Sequence, residues 1–252
     1  MSKSISQIRQ EFDGADEERG EELCRLYSGD ARTGVQNLII RYRRKKEALR
    51  KERARLWEMM IYERKYSGYE RICGIDEAGR GPLAGPVVAG AVILPKDCEI
   101  LGVNDSKKLS AKKRELLYDE IMEKAVAASV GIVSPQRIDE INILQATYEA
   151  MRKAVAGLGT EPDILLNDAV TIPEVVIPQI PIVKGDAKSV SIAAASIIAK
   201  VTRDRIMVEY ERRFPGYGFA SNKGYGSAEH IEALRRLGPT PIHRNSFISN
   251  FV

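Results

Sequence analysis

Two adjacent carboxylates, Asp76 and Glu77, end an apolar run and are followed at once by a glycine-rich stretch. Residues 72–75 are predicted to form a buried strand, and the glycines after the acids predict a tight turn or backbone that lies close to another group. Carboxylates at a strand end beside bare backbone suit a metal-assisted reaction on a phosphodiester. A hairpin whose acids are merely solvated fits residues 74–85 equally well.

Two further acids come from apolar surroundings. Asp168 ends a predicted buried strand, and Asp204 lies beside the apolar face of a predicted helix. Burying several carboxylates together is costly unless a cation compensates them, because like charges raise one another's pKa. Mg²⁺ and Mn²⁺ favour such oxygen ligands, and two of these ions can activate water and stabilise a leaving oxygen. Three alternatives stay open: Asp168 caps a turn, Asp204 pairs with Lys200, and Glu77 faces solvent.

The chain has few side chains for other metal or nucleophile chemistry. Its two histidines, His230 and His243, are too few for a histidine-rich zinc site or a histidine-centred triad. Its three cysteines are odd in number and far apart, which predicts reduced structural thiols. They are Cys24, Cys73 and Cys98. A metal centre here must therefore use oxygen ligands.

Several residues are candidates for contact with a nucleic acid. The turn Gly79-Arg80-Gly81 exposes peptide groups that could reach a ribose 2′-hydroxyl. Tyr225 lies between two glycines and could stack on a sugar or base, although an ordinary turn tyrosine is the alternative. Four lysines are weaker candidates for phosphate contacts. They are Lys107, Lys108, Lys184 and Lys223.

From residue 69 onward, strands and helices alternate. The predicted strands are 71–76, 87–94, 127–133, 163–168 and 180–184, with residues 104–109 as a polar loop and Gly185-Asp186 as the exit turn of the last strand. The predicted helices are 111–124, 134–157, 189–214 and 228–237. This alternation predicts a three-layer α/β domain with a mixed sheet.

The first 70 residues are predicted to be helical and basic. Residues 41–55 hold nine lysines and arginines against two glutamates, within one long amphipathic helix predicted from Thr33 to Tyr66. Its 35, 42, 49, 56 register is typical of a coiled coil, but Lys45 and Glu52 favour packing on its own domain. The charge suits a polyanion, and a solvated helix face is the alternative. We therefore predict two domains: 1–68, a basic helical extension that binds nucleic acid, and 69–252, the catalytic domain with a C-terminal helical tail.

Length and hydropathy exclude membrane classes. The 252 residues suffice for one sizeable domain plus an accessory segment. No apolar run approaches the roughly 18–20 residues of a membrane span, and no signal peptide opens the chain. We expect a soluble, cytoplasmic protein without a membrane partner, and a monomer by default.

Four segments in this order resemble bacterial ribonuclease HII: residues 74–86, 105–109, 191–205 and 223–226. The resemblance covers about residues 70–245 and implies a ribonuclease H-like fold. It also implies an endoribonuclease that hydrolyses the RNA strand of RNA/DNA hybrids and incises 5′ to single ribonucleotides in duplex DNA, leaving 3′-hydroxyl and 5′-phosphate ends. The implied role is removal of ribonucleotides from DNA, with two divalent ions, Mg²⁺ or Mn²⁺, in the substrate complex.

The resemblance assigns roles by position. The metal-binding acids fall on Asp76, Glu77, Asp168 and Asp204, the reader of the 2′-hydroxyl on Gly79, Arg80 and Gly81, and the junction-sensing tyrosine on Tyr225. Lys107 and Lys184 remain candidate phosphate contacts. Three features depart from the family pattern: Asn167 replaces an apolar residue, Ser227 replaces a frequent threonine, and only some members carry an N-terminal extension.

Three alternatives remain, two of them nucleic-acid enzymes and one a non-catalytic binding protein. Ribonuclease HIII is related, but it replaces the last acid, so Asp204 argues against it. A protein that binds RNA/DNA hybrids without catalysis would not retain every metal ligand. A metal-dependent DNA nuclease of the same broad fold would not require the turn at 79–81.

Overall fold

A computed structural model describes residues 3–251 and divides the chain into two compact units, Met1–Arg55 and Leu56–Val252. The α-helices are α1 Ile5–Asp13, α2 Glu17–Leu26, α3 Thr33–Met59, α4 Ile61–Lys65, α5 Ala111–Lys124, α6 Pro135–Ala156, α7 Val190–Arg213, α8 Phe219–Asn222, α9 Ala228–Leu237 and α10 Asn245–Ile248. The strands are β1 Ile72–Ala78, β2 Val87–Ile93, β3 Ala127–Val133, β4 Ile164–Asp168 and β5 Gln179–Ile182. The boundary that the sequence places at 68/69 stays a prediction.

The first unit is helical, as its apolar spacing predicts. Ser4 caps α1 in a reciprocal capping box with Gln7, and Asp16 caps α2 by accepting a hydrogen bond from the Arg19 amide. Ile8 of α1 is buried against the start of α3 in a small apolar cluster. This cluster gives the short α1 the tertiary support that a helix of its length needs.

The helix predicted from Thr33 to Tyr66 is interrupted at Met60, whose backbone angles (φ −88°, ψ 18°) leave the α-helical range. The short helix α4 follows, and its Tyr62 and Tyr66 pack on an apolar cluster that includes Ile164 of β4. No proline or glycine marks the break. The sequence pattern of residues 33–66 therefore predicts one continuous helix, whereas in the structure α3 ends before Met60 and α4 packs within the second unit.

The second unit is built on a five-stranded mixed sheet with the strand order β3-β2-β1-β4-β5. The pairs β1–β2 and β2–β3 are antiparallel, whereas β1–β4 and β4–β5 are parallel. In the register of β1 and β4, Ile75 lies opposite Asn167. Asp76 and Asp168 are therefore the next residues on two neighbouring parallel strands.

Helices cover both faces of the sheet. α7 packs on β1 and β2 with α5 beside it, and α6 packs on β3 and β2 from the other face. Alanines of α7 allow close approach, and a β-carbon on Gly74 of β1 would collide with the Ser191 carbonyl. The structure confirms the three-layer α/β prediction. Within residues 3–251, no helix is both long and apolar enough to cross a lipid bilayer.

One predicted helix has an irregularity that its sequence pattern does not reveal. α6 is kinked at Asn142, where the backbone is non-helical (φ 66°, ψ 164°). The Asn142 Oδ1 atom accepts hydrogen bonds from the amides of Leu144 and Gln145, so it caps the second half of the helix. A side-chain oxygen replaces the lost helical bonds at this position.

Candidate active site

The sheet places three of the predicted acids together at the ends of β1 and β4. Asp76 and Asp168 occupy equivalent positions on the two parallel strands, and Glu77 follows Asp76. Asp168 Oδ1 accepts a hydrogen bond of 2.7 Å from the Gly185 amide, and Asp76 Oδ1 accepts one of 2.7 Å from the Glu77 amide. Backbone donors therefore orient both aspartates.

Asp76 is buried, whereas Glu77 and Asp168 are half-buried. Asp76 is 7% exposed, and burial raises its pKa well above the ordinary range, with the charges of Glu77 and Asp168 adding to the shift. Burial also raises the pKa of Glu77, although the Arg80 guanidinium, 3.5 Å away, opposes that shift. Carboxylate oxygens that repel one another in a buried site form a donor set that suits a hard divalent cation.

Lys107 is a second cation whose charge acts on these acids, after Arg80. Burial lowers its pKa, but the charges of nearby aspartates outweigh burial and raise it overall. These aspartates are Asp76, Asp105, Asp186 and Asp168. The Lys107 ammonium thus contributes positive charge near the strand ends.

Sequence reasoning missed Asp105 and Asp186, which it left in a polar loop and an exit turn. Asp186 is buried, and burial raises its pKa, with further contributions from Asp105 and Asp168. Asp105 caps a short 3₁₀ turn by accepting a hydrogen bond from the Lys107 amide. In the sequence, Asp186 follows the last predicted strand, and Asp105 lies two residues before Lys107.

Asp204 lies in different surroundings on α7. Its Oδ1 accepts a 2.7 Å hydrogen bond from Lys200, and its Oδ2 lies 3.7 Å from the Arg114 guanidinium. The pairing with Lys200 is the alternative that the sequence left open. Asp204 also lines an open cleft of about 830 Å³ together with Tyr225 and Lys223. Among residues 3–251, no three carboxylate, histidine or cysteine side chains are arranged to bind one metal ion.

The glycine-arginine-glycine turn lies between the acids and Tyr225. Gly79 has φ +93°, and a β-carbon there would collide with the Arg203 side chain, so glycine is required. A β-carbon on Gly81 would lie 4.0 Å from Cε1 of Tyr225. The Tyr225 side chain is 47% exposed. The structure therefore brings the turn and the tyrosine together at the surface.

Two fully buried arginines bind main-chain carbonyls in and around this turn. Arg203 donates hydrogen bonds to the carbonyls of residues 84, 86 and 223. Arg244 donates to those of residues 79, 80 and 85. Burial lowers the pKa of Arg244 to about 9, and the neighbouring Arg203 adds to the shift. In a sequence, both arginines look like ordinary surface cations.

The remaining predicted positions have local explanations. Lys184 is exposed and adopts a left-handed backbone (φ 58°), just before Gly185 binds Asp168. Asn167 is fully buried and donates to the Gln179 side chain and the Val170 carbonyl, so it braces the segment after β4. Ser227 caps α9, which threonine also does.

Comparison with known proteins identifies the family. Residues 73–250 match the family model described as ribonuclease HII, and residues 4–67 match its N-terminal domain. The chain belongs to the ribonuclease HII family. A ribonuclease HII of Lachnoclostridium phytofermentans is 64% identical over 250 residues, covering 99% of this chain and 98% of the relative. One from Clostridioides difficile is 53% identical and covers 100% of both chains.

A solved structure supports the same assignment. The crystal structure of ribonuclease H2 from Pyrococcus horikoshii superimposes with a TM-score of 0.60 at 31% identity, covering 72% of this chain and 98% of that one. The ribonuclease H-like fold is confirmed. As a ribonuclease HII, the chain is a type 2 ribonuclease H, an endonuclease acting on RNA/DNA hybrids. This decides against the related ribonuclease HIII that the sequence left as an alternative.

Proposed function

We propose that this ribonuclease HII also incises duplex DNA 5′ to single embedded ribonucleotides, leaving 3′-hydroxyl and 5′-phosphate ends, and so begins ribonucleotide removal from DNA. The observation that carries the proposal is the order of groups at the end of β1. Strand-end acids are followed within a few residues by a turn whose Gly81 faces Tyr225. Groups suited to cutting and to reading the sugar are therefore adjacent.

Asp76, Glu77, Asp168 and Asp204 would hold two divalent ions, Mg²⁺ or Mn²⁺, in the substrate complex. The raised pKa values of Asp76 and Glu77 support this assignment, because a cation relieves the repulsion between carboxylates. When bound, the ions supply an activated water and neutralise charge on the leaving oxygen. The Gly185 amide keeps Asp168 oriented without any ion, since it binds the Oδ1 atom directly.

The chemistry is hydrolysis of one phosphodiester. A water oxygen bonds to phosphorus, the bond from phosphorus to the 3′-oxygen breaks, and that oxygen takes up a proton. The ribose 2′-hydroxyl is unchanged in this reaction, so it serves only for recognition. We assign its recognition to the peptide groups of Gly79, Arg80 and Gly81, stacking at the RNA–DNA junction to Tyr225, and phosphate contacts to Lys107 and Lys184.

The test uses a DNA duplex with one ribonucleotide, assayed with Mg²⁺ or Mn²⁺ and with chelator. Wild type is expected to cut 5′ to the ribonucleotide in the presence of metal alone. Asp168→Asn should lose activity, whereas Asp163→Asn, which alters a half-buried pair with Arg71 away from the proposed ligands, should retain it. The proposal is wrong if wild type leaves the substrate uncut in the presence of metal, or if Asp168→Asn retains full activity.

We further propose that residues 1–68 form a nucleic-acid-binding module beside a catalytic domain of residues 69–252. Several cations of α3 contact carboxylates, as Lys46 does with Glu17 and Glu21. Within residues 3–251, Arg41, Arg44 and Lys45 are exposed and have no carboxylate partner. Their spacing of three and four residues places them on one face of the helix, where they can contact successive phosphates.

Substitution tests this module better than truncation, because Glu63 of α4 accepts hydrogen bonds from Ser189 and Ser191 at the start of α7. Replacing Arg41, Arg44 and Lys45 by glutamine should weaken hybrid binding and flatten the slope of log affinity against log salt by about 2. The control replaces Arg50 and Lys51, which both contact Glu47. If the two sets of substitutions change hybrid affinity and its salt dependence equally, α3 has a structural role and does not bind phosphates.

A further inference from the structure

The only two histidines of the chain lie side by side in the interior of the C-terminal part. His230 is fully buried on α9, His243 is nearly so, and their Nε2 atoms are 3.0 Å apart. The rings of Tyr217 and Phe219 pack against both. Neither histidine touches a proposed metal ligand, so the chemistry assigned above leaves this pair unused.

The outer partners of the pair fix the position of every ring proton. The Tyr225 carbonyl oxygen lies 2.8 Å from His230 Nδ1 and can only accept, so Nδ1 carries the proton. The Thr240 amide donates to His243 Nδ1 at 2.9 Å, so the proton of that ring is on Nε2. His243 Nε2–H then donates to the bare Nε2 of His230.

The result is a chain of hydrogen bonds with a single direction, from the Thr240 amide through His243 and His230 to the Tyr225 carbonyl. Both rings are neutral, and each is a different tautomer. An added proton on either ring would place two N–H groups face to face or break a bond to the backbone. Burial lowers the pKa of both rings, and the pKa of His243 falls to about 4.

The two ends of this series of hydrogen bonds contact the two elements proposed to recognise the substrate, Tyr225 and the glycine-arginine-glycine turn. At one end, His230 donates to the backbone carbonyl of Tyr225. At the other end, His243 forms a bridge with Ala84, and the adjacent Arg244 donates to the carbonyls of Gly79 and Arg80. The histidine pair thus connects the tyrosine to the segment that holds the glycine-arginine-glycine turn.

We propose that His230 and His243 are positioning residues that fix Tyr225 relative to the turn and so favour substrates with a lone ribonucleotide. The two neutral rings, each a different tautomer, do this through their hydrogen bonds, and we call this hydrogen-bonded pair the histidine relay. This inference rests on the proposed function, in which Tyr225 senses the junction. Other titratable groups near the pair are Tyr217, Arg244 and Asp139, which shares a small cleft with His243. The Asp139 carboxylate is engaged by the amides of residues 245 and 246.

The first test is the nitrogen NMR spectrum of the histidine rings in the full chain. Because there are only two histidines, His230→Asn assigns both sets of signals. The expected spectrum at pH 6.5 shows two neutral rings, with the proton of His230 on Nδ1 and that of His243 on Nε2. Identical tautomers, or an imidazolium at this pH, would overturn the relay.

The second test compares cleavage of a lone-ribonucleotide duplex with cleavage of an uninterrupted hybrid. His230→Leu removes the donor to Tyr225 and should lower kcat/KM about tenfold on the first substrate and about twofold on the second. His230→Asn keeps a side-chain N–H and should restore most of the difference. Phe219→Leu, a control in the same cluster, should affect both substrates equally.

Each outcome separates the relay from the proposed function. If His230→Leu lowers kcat/KM equally on the two substrates, the histidines only pack in the core and the proposal is wrong. The same conclusion follows if Phe219→Leu lowers kcat/KM more on the lone-ribonucleotide duplex than on the hybrid, as expected for His230→Leu. If wild type fails to cut the lone-ribonucleotide duplex, the proposed function fails, and the NMR spectrum still decides whether the relay exists.

Discussion

The acids of the site occupy two contrasting environments. At the strand ends, Asp76 is buried and Glu77 is half-buried near Asp168, and the pKa values of Asp76 and Glu77 are raised despite the charges of Arg80 and Lys107. On α7, Asp204 has Lys200 and Arg114 as partners. The protein therefore pairs the helix-borne acid with two cations and compensates the charge of the strand-end acids only in part.

This difference indicates where a cation has the most to contribute. A buried carboxylate without a counter-charge destabilises the fold, so a divalent ion at the strand ends should stabilise the protein as well as enable catalysis. Asp204 can join such an ion only by exchanging its present partners. Equivalent substitutions in the two environments should therefore change the free energy of unfolding with opposite signs.

The largest expected effect is on activity. Asp76→Asn and Asp204→Asn should each lower cleavage about 10³-fold, because both remove a proposed metal ligand. In chelator at pH 8, Asp76→Asn should raise the free energy of unfolding by about 1–2 kcal/mol, since it removes a repelled buried charge. Asp204→Asn should lower it by about 1 kcal/mol, because it weakens two ion pairs. Urea unfolding measures both, and changes of the same sign would break the comparison.

The buried arginines extend the comparison to cations. Arg244→Met leaves the carbonyls of Gly79, Arg80 and Gly85 without their donor and should lower the free energy of unfolding by about 3 kcal/mol. Arg212→Met is the control, since Arg212 is exposed and pairs with Glu209, and should change it by less than about 0.5 kcal/mol. Equal losses would mean that the bonds from Arg244 contribute little.

Buried groups that stay neutral give a smaller, pH-dependent effect. The pKa of His243 is about 4 in the folded protein against an ordinary 6.5, so the unfolded chain binds the proton more tightly. The stabilisation is complete above pH 6.5 and is lost as the pH falls toward 4. Between pH 6.5 and 4.5, wild type should lose about 2 kcal/mol more than His243→Asn in chemical unfolding. Parallel pH profiles would contradict the assignment.

The sequence predicts the framework of the site well because strand ends and helix faces follow from local pattern. The strand that ends at Asp168 and the helix that carries Asp204 are both confirmed. Adjacent positions on parallel strands then bring Asp76 and Asp168 together, once the strand order is known. The roles of these acids stay predictions until the metal and activity measurements are made.

What the sequence does not predict depends on contacts between distant segments. Nothing near Arg203 or Arg244 indicates that both are fully buried on main-chain carbonyls, those of the turn in the case of Arg244. The break at Met60 and the kink at Asn142 also lack a proline or glycine signal. The direction of the histidine relay follows only when Tyr225 and Thr240 are placed beside the two rings.

The central claim is that the carboxylates at the ends of β1 and β4 have too little compensating positive charge. The metal dependence of thermal stability tests this claim most directly. Millimolar Mn²⁺ should raise the Tm of wild type by about 5 °C, because the ion binds the folded state alone. Asp163→Asn should show the same rise, whereas Asp76→Asn should start at a higher Tm in chelator and gain almost nothing from Mn²⁺. An unchanged wild-type Tm, or an equal rise in Asp76→Asn, would contradict the account.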